Sequence, residues 1–284
     1  MNWTKWQANW NKESSEMSSP RIPSPVAVVT GASSGLGAIF AQRLGERGFN
    51  LVLTGRDHNR LEEVRQRVIA GARDCAVTLI TADLASDDGV LTLLRELGDR
   101  PIDLLVNNAG FGTYGPFDRS DTTQEIGVIS VDIAALVRLT RAVLPGMVER
   151  GHGGVLNVAS TIAFQPAPYQ ATYGAAKAFV LSFSQALWQE TRHRGVTVTA
   201  LCPGPTKTGF VDALRNAEAS QTAVYARLDE PEPVVDTGLR ALDRGVPVAV
   251  PGLRNQIIAF LPRIAPRRLI TSISARVLTP KAAR

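Results

Sequence analysis

The sequence predicts an α/β fold: one doubly wound domain with a parallel sheet of about seven strands and helices on both faces. Three observations predict it. Short apolar runs without polar alternation recur along the chain, as strands buried on both faces require. Amphipathic stretches of helical period separate them, which is the pattern of crossover connections. A glycine cluster, TGASSGLG (Thr30–Gly37), follows the first run directly and opens the first helical stretch.

The chain has 284 residues, 44% hydrophobic and 20% charged, which is ample for a sizeable core. Residues 1–25 are polar, rich in Ser and Asn, and closed by Pro20, Pro23 and Pro25. They carry no apolar h-region, so they read as a disordered leader rather than a secretory signal. Trp3, Trp6 and Trp10 would form one stripe there if the leader were helical, a possible dock for a partner. The domain proper spans 26–252. VAVVT (Val26–Thr30), LVLT (Leu51–Thr54), AVTLI (Ala76–Ile80) and IDLLV (Ile102–Val106) are its first four strands. GVLNVA (Gly154–Ala159), VTVTALC (Val196–Cys202) and a short run near Val246–Val250 complete the sheet. Helices are expected over Leu36–Gly48, Asp57–Gly71, Asp87–Gly98 and Thr123–Arg150, and from Tyr169 to about Arg194.

Cys75 and Cys202, each assigned to a strand, suit buried reduced thiols of a cytoplasmic protein. The histidines His58, His152 and His193 show no ligand spacing, so no metal is expected. The net charge is +5, but seven Lys or Arg and no acid lie beyond Gly252. The rest holds 24 basic and 26 acidic residues, so the basic balance belongs to the tail and does not indicate nucleic acid. No apolar run approaches the roughly 18 residues of a membrane span.

Gly31, Gly35 and Gly37 allow a tight turn and close approach to a pyrophosphate facing a helix N-terminus, which points to a dinucleotide. The second strand ends in Thr54-Gly55-Arg56-Asp57. Arg56 suits a 2′-phosphate and hence NADP(H); the competing reading puts Asp57 on the ribose and Arg56 in solvent. Farther on, VLNVASTIAFQPAPYQATYGAAK (Val155–Lys177) reads as strand, loop and helix start. Tyr173 and Lys177 lie four apart and share a helix face, and Ser160 ends the strand. A phenol titrates near pH 10, and a neighbouring ammonium lowers that value. Tyr173 is thus a candidate general acid or base, with Ser160 holding the substrate oxygen.

The glycine spacing, NNAG (Asn107–Gly110), Ser160 and YxxxK together resemble the short-chain dehydrogenase/reductase family over roughly Pro25–Gly252, and body and tail are most similar to its DltE-like bacterial reductases. The resemblance implies a Rossmann-type fold with Asp83 on the adenine and Asn107 beside the cofactor ribose. Lys177 would hold the nicotinamide ribose and lower the Tyr173 pKa, while Ser160 would orient the carbonyl. Thr206 and Thr208 of PGPTKT would meet the carboxamide. Ser33, Ser34, Leu36, Leu84, Ala109, Gly110, Pro203 and Gly204 complete the implied cofactor contacts. One position departs: Asp132 in VDIAAL stands where the family commonly has Asn. It either faces the proton relay or points to solvent and offers only its main-chain carbonyl.

A lid is expected over about 206–230, with Phe210, Val211, Leu214, Val224 and Tyr225 facing Phe164, Pro166, Pro168 and Tyr169. Such a wall suits a small, mainly apolar carbonyl or alcohol substrate. The tail, 253–284, is apolar and basic, with helical spacing broken at Pro262 and Pro266. It is expected to cover its own subunit or a neighbour's, or to lie on an anionic membrane surface. The two long helices imply, by the resemblance, a homodimer or homotetramer. The expected function is an NADP(H)-dependent oxidoreductase; the alternative is a non-catalytic NADP(H)-binding regulator on the same fold.

Overall fold

The computed structural model describes residues 24–72, 75–210, 214 and 219–279. Trp3, Trp6, Trp10 and Val211 lie outside the described residues. Seven strands pair in parallel, all in one sheet: β1 (Val26–Thr30), β2 (Asn50–Gly55), β3 (Val77–Thr81), β4 (Leu104–Asn107), β5 (Gly153–Val158), β6 (Val196–Leu201) and β7 (Val248–Ala249). Their order is β3-β2-β1-β4-β5-β6-β7. Crossovers from β1 run one way to β2 and those beyond β4 run the other, so a crevice opens at the carboxyl ends of β1 and β4.

Helix α1 (Gly35–Glu46), α2 (His58–Gly71) and α3 (Asp87–Leu97) join the first four strands. The side chains of β1 alternate between two cores. Ala27 and Val29 pack with Phe40 and Leu44 of α1, and Val28 packs with Leu93 of α3 and Leu139 and Met147 beyond β4. Each such buried Leu or Phe contributes about 1.5–3 kcal/mol.

The expected helix over Thr123–Arg150 is interrupted. Helix α4 (Thr122–Ile129) passes into a π-helical turn at Ser130–Ala135 before α5 (Leu136–Arg150) resumes. A π turn inserts extra backbone into the helix and rotates the faces that follow. Helix α6 (Ala171–Thr191) leads to β6. Between β6 and β7 stands a helix the sequence reading lacked, α7 (Pro231–Asp243), which buries Val234, Val235, Leu239 and Leu242. Its available signals were Pro231 in the first turn and that apolar stripe.

Cys75 precedes β3 and Cys202 follows β6, so neither lies in a strand, and both are free. Cys202 is buried, and burial pushes its thiol up to about 12. The tail folds as α8 (Leu253–Phe260), a turn at Leu261–Arg263, and α9 (Arg267–Leu278). Pro262 and Pro266 lie at the break, where they end one helix and start the next. One face of each helix covers the subunit itself: Asn255 and Ala259, then Ile270, Ser274 and Leu278, are buried. Tyr114 donates to the Leu278 carbonyl and so ties the end of α9 to the loop after β4. No helix among the described residues is long and apolar enough to cross a membrane.

Candidate active site

Strand β1 runs into a turn that only glycine permits. Gly31 (φ +63°) and Gly35 (φ +54°) are left-handed, and a Cβ on Gly37 would stand 2.2 Å from the Gly31 carbonyl oxygen. Thr30 and Asn108 lock this turn to the end of β4. The Thr30 hydroxyl accepts from the amides of Asn108 (3.0 Å) and Ala109 (2.9 Å), and the Asn108 side chain donates to the carbonyls of Thr30 (2.9 Å) and Gly31 (3.1 Å). Sequence reasoning gave neither side chain a role. The available signal was a hydroxyl ending an apolar strand opposite a second Asn.

Ser34 precedes α1 without a side-chain cap bond, and the first turn of α1 holds no acid. Its leading amides, with Ser33 and Leu36 nearby, therefore stay available to an anion, and a pyrophosphate fits this cradle. Thr208 reaches it, because a Cβ on Gly35 would meet the Thr208 methyl at 3.3 Å. Pro203 and Gly204 begin that loop. The Pro203 carbonyl accepts from the Thr161 amide (2.8 Å), and Gly204 is packed so closely on Asn255 that a Cβ would stand 2.7 Å from its amide group. The Thr206 hydroxyl is buried and donates to the Gly204 carbonyl at 2.9 Å.

At the end of β2, Gly55 lies against Ser33, and Arg56 is exposed. Asp57 is engaged elsewhere: it caps α2, accepting from the Arg60 amide at 3.1 Å and pairing with the Arg60 guanidinium at 3.5 Å. Asp83 turns back on its own loop and accepts from the Ala85 amide at 3.0 Å, while Leu84 is buried. Asn107 closes β4 at the crevice. Its amide group points into the core, donating to Thr140 (3.0 Å) and to Asn157 (2.9 Å), which continues to Ser184 (2.9 Å). The Asn107 Oδ1 is buried and accepts no hydrogen bond from another described residue.

Ser160, just past the end of β5, caps a short turn over Thr161–Phe164 by accepting from the Ile162 amide at 3.3 Å. Helix α6 brings Tyr173 and Lys177 to the same place, both buried. Lys177 Nζ donates to the Val158 carbonyl at 3.0 Å and lies 5.6 Å from the centroid of the Tyr173 ring. Phe210 packs on that ring at 5.3 Å.

Asp132 faces inward, and the solvent-facing reading is overturned. Its side chain is 0% exposed, and one carboxylate oxygen stands 2.9 Å from Lys177 Nζ. The other oxygen accepts from the Phe111 amide at 3.1 Å. Gly110 makes room for the pair, since a Cβ there would stand 3.0 Å from both carboxylate oxygens and 3.1 Å from Nζ. Burial raises the Asp132 carboxyl above its ordinary range, against the opposing pull of Lys177 and the Phe111 amide.

At Tyr173 the lowering expected of a neighbouring ammonium meets two opposing influences. Burial, and then the Asp132 charge, push the phenol above its ordinary value; only hydrogen bonding with Ser160 pulls it down. An ammonium matched by a carboxylate 2.9 Å away applies little net potential to the ring.

Over the site, Tyr114, Leu214 and Ala219 form a small buried cluster with Tyr169, Phe210 and Tyr225 packed on it. Tyr169 takes the left-handed φ of +66°, unusual outside glycine. The two ends of the 206–230 segment are joined: the Asp229 amide donates to Pro205 (2.8 Å), the Lys207 amide donates to Asp229 (2.9 Å), and Asn255 of α8 holds the Asp229 carboxylate (2.7 Å).

A crevice with an anion cradle on β1 and a hydroxyl, phenol and ammonium beyond β5 defines a nucleotide-binding oxidoreductase of the doubly wound class. The chain belongs to the short chain dehydrogenase family, whose model matches residues 25–219. It is 37% identical over 192 residues to the hydroxysteroid dehydrogenase-like protein 1 of Gallus gallus, covering 66% of this chain and 58% of that one. An uncharacterized oxidoreductase of Staphylococcus saprophyticus is 35% identical over 219 residues, 74% of this chain and 93% of its own length. Among solved structures, a short-chain dehydrogenase from Sphingobium yanoikuyae in complex with NADPH superposes with a TM-score of 0.75. It is 34% identical and covers 81% of this chain and 88% of that one. The chain thus spans little more than half of the avian relative and nearly all of the bacterial ones.

Proposed function

We propose that the protein is an NADP(H)-dependent carbonyl reductase or alcohol dehydrogenase acting on a small, mainly apolar substrate. The observation that carries this reading is the convergence of Ser160, Tyr173 and Lys177 at the carboxyl end of β5, beside the Gly31–Gly37 cradle. The nicotinamide, when bound, supplies or accepts the hydride. Ser160 donates a hydrogen bond to the substrate oxygen, and Tyr173 moves the proton on that oxygen. A phenol held above its ordinary value is protonated at neutral pH, which is the form that carbonyl reduction needs. Lys177 and the backbone of Asn107, Ala109 and Gly110 hold the nicotinamide ribose. Asp83 and Leu84 border the adenine, and Pro203, Gly204, Thr206 and Thr208 border the carboxamide. The apolar cluster around Tyr114, Phe210 and Tyr225 supports an apolar substrate. The free thiols support a cytoplasmic setting. The exposed Ile126 and Ile129 on α4 and Phe179 on α6 support a homodimer or homotetramer built on the long helices.

NADP(H) preference rests on Arg56, because Asp57 is committed to capping α2. Arg56→Ala is expected to weaken NADPH by roughly 10- to 150-fold, the worth of one charge-assisted contact. NADH affinity should barely change. Titration of both cofactors by fluorescence checks this, and equal loss for the two would remove the assignment.

One observation favours a non-catalytic NADP(H)-binding regulator instead: Asp132 neutralises Lys177 and leaves the phenol less acidic. A panel of ketones and aldehydes with NADPH, and of alcohols with NADP, decides between them. Turnover that depends on Tyr173 supports the enzyme; tight NADPH binding with no turnover on any of them supports the regulator.

A further inference from the structure

Seven of the fourteen large apolar residues exposed among the described residues lie between Leu253 and Ile273. They occupy one side of each tail helix. Leu253, Ile257 and Phe260 follow one another at helical spacing on α8, away from the buried Asn255 and Ala259. Leu269 and Ile273 stand one turn apart on α9, beside the stripe of buried Ile270, Ser274 and Leu278. Ile264, in the bend between the helices, is 69% exposed. The exposed Arg254, Arg263, Arg267 and Arg268 lie among them, and no Asp or Glu occurs from Gly252 to the end.

Each helix therefore uses one face to cover the subunit and presents the other to something else. Exposed apolar side chains grouped along two successive helices mark an interaction site, and the charge among them selects the occupant. A second copy meeting it about a two-fold axis would bring one basic, acid-free patch against another. A surface that is apolar at depth and anionic at its face matches both components at once. We propose that α8, the bend and α9 lie in the interface of an anionic lipid bilayer, with the apolar side chains inserted and the arginines at the headgroups.

The test is co-sedimentation of the full chain with phosphatidylcholine vesicles, with and without phosphatidylserine, at low and high salt. The expected result is binding to the anionic vesicles alone, lost at high salt as the charges are screened. Arg267→Ser with Arg268→Ser should lower the partition roughly 30-fold, at about 1 kcal/mol per basic residue near such a surface. Ile257→Asp with Phe260→Asp should lower it more than about tenfold. Both variants change exposed side chains, and an unaltered melting temperature confirms that they fold. Full-length protein that ignores anionic vesicles at low salt overturns the proposal. So does binding that neither variant reduces. If Ile257→Asp with Phe260→Asp instead splits an oligomer of wild-type protein that ignores vesicles, the face is a subunit contact and the proposal fails.

Discussion

Tyr173→Phe is expected to lower kcat for carbonyl reduction by about 10²- to 10⁴-fold, the worth of a positioned general acid. NADPH affinity and melting temperature should change little. The phenylalanine ring keeps the packing between Phe210 and Lys177, and only the hydroxyl beside Ser160 is removed. Single-turnover reduction, read as the loss of NADPH absorbance, separates the chemical step from cofactor binding. Undiminished turnover would show that the proton reaches the substrate oxygen by another route, and the assignment of Tyr173 would be wrong.

The second large effect concerns Asp132, and two substitutions separate its charge from its shape. Asp132→Ala leaves Lys177 as a buried charge without its carboxylate and the Phe111 amide without its acceptor. Breaking a buried pair from one side costs about 3–5 kcal/mol, so a marked fall in melting temperature is expected. Asp132→Asn keeps an acceptor for Phe111 and the same volume, so it should retain more of the stability. It also removes a negative charge that raises the Tyr173 pKa.

The sign follows directly. Alcohol oxidation needs the phenolate, so its rate rises as pH passes through the Tyr173 pKa. Without the Asp132 charge that pKa falls, and the basic limb moves to lower pH. A shift of about one unit, worth about 1.4 kcal/mol, is the scale to expect. Profiles of kcat/KM against pH at fixed ionic strength measure it. Superimposable profiles for the wild type and Asp132→Asn would mean that the carboxylate positions Lys177 but does not act on the proton transfer.

The elements legible in the sequence were those with a local cause. The strands at Val26–Thr30 and Val196–Leu201 and the helix at Asp87–Leu97 stand within a residue of where apolar period and turn chemistry put them. The glycine turn was legible too, because Gly31 and Gly35 need left-handed backbone and Gly37 needs the missing Cβ whatever surrounds them. Helix α7 went unread because its stripe at Val234, Val235, Leu239 and Leu242 is short and opens on two prolines. Only the tertiary structure decided the rest. Asn107 ends a strand on which successive side chains alternate between faces, and its pairing with Asn157 sends its amide inward. Whether Asp132 met solvent or Lys177 depended on the π turn at Ser130–Ala135, whose extra backbone resets the helix face in a way no regular 3.6-residue period shows. The electrostatic state of Tyr173 followed from that rotation. Four-residue spacing places Lys177 beside the phenol, but the potential it applies depends on a carboxylate more than forty positions away in sequence, brought to 2.9 Å by the packing of α6 against the π turn.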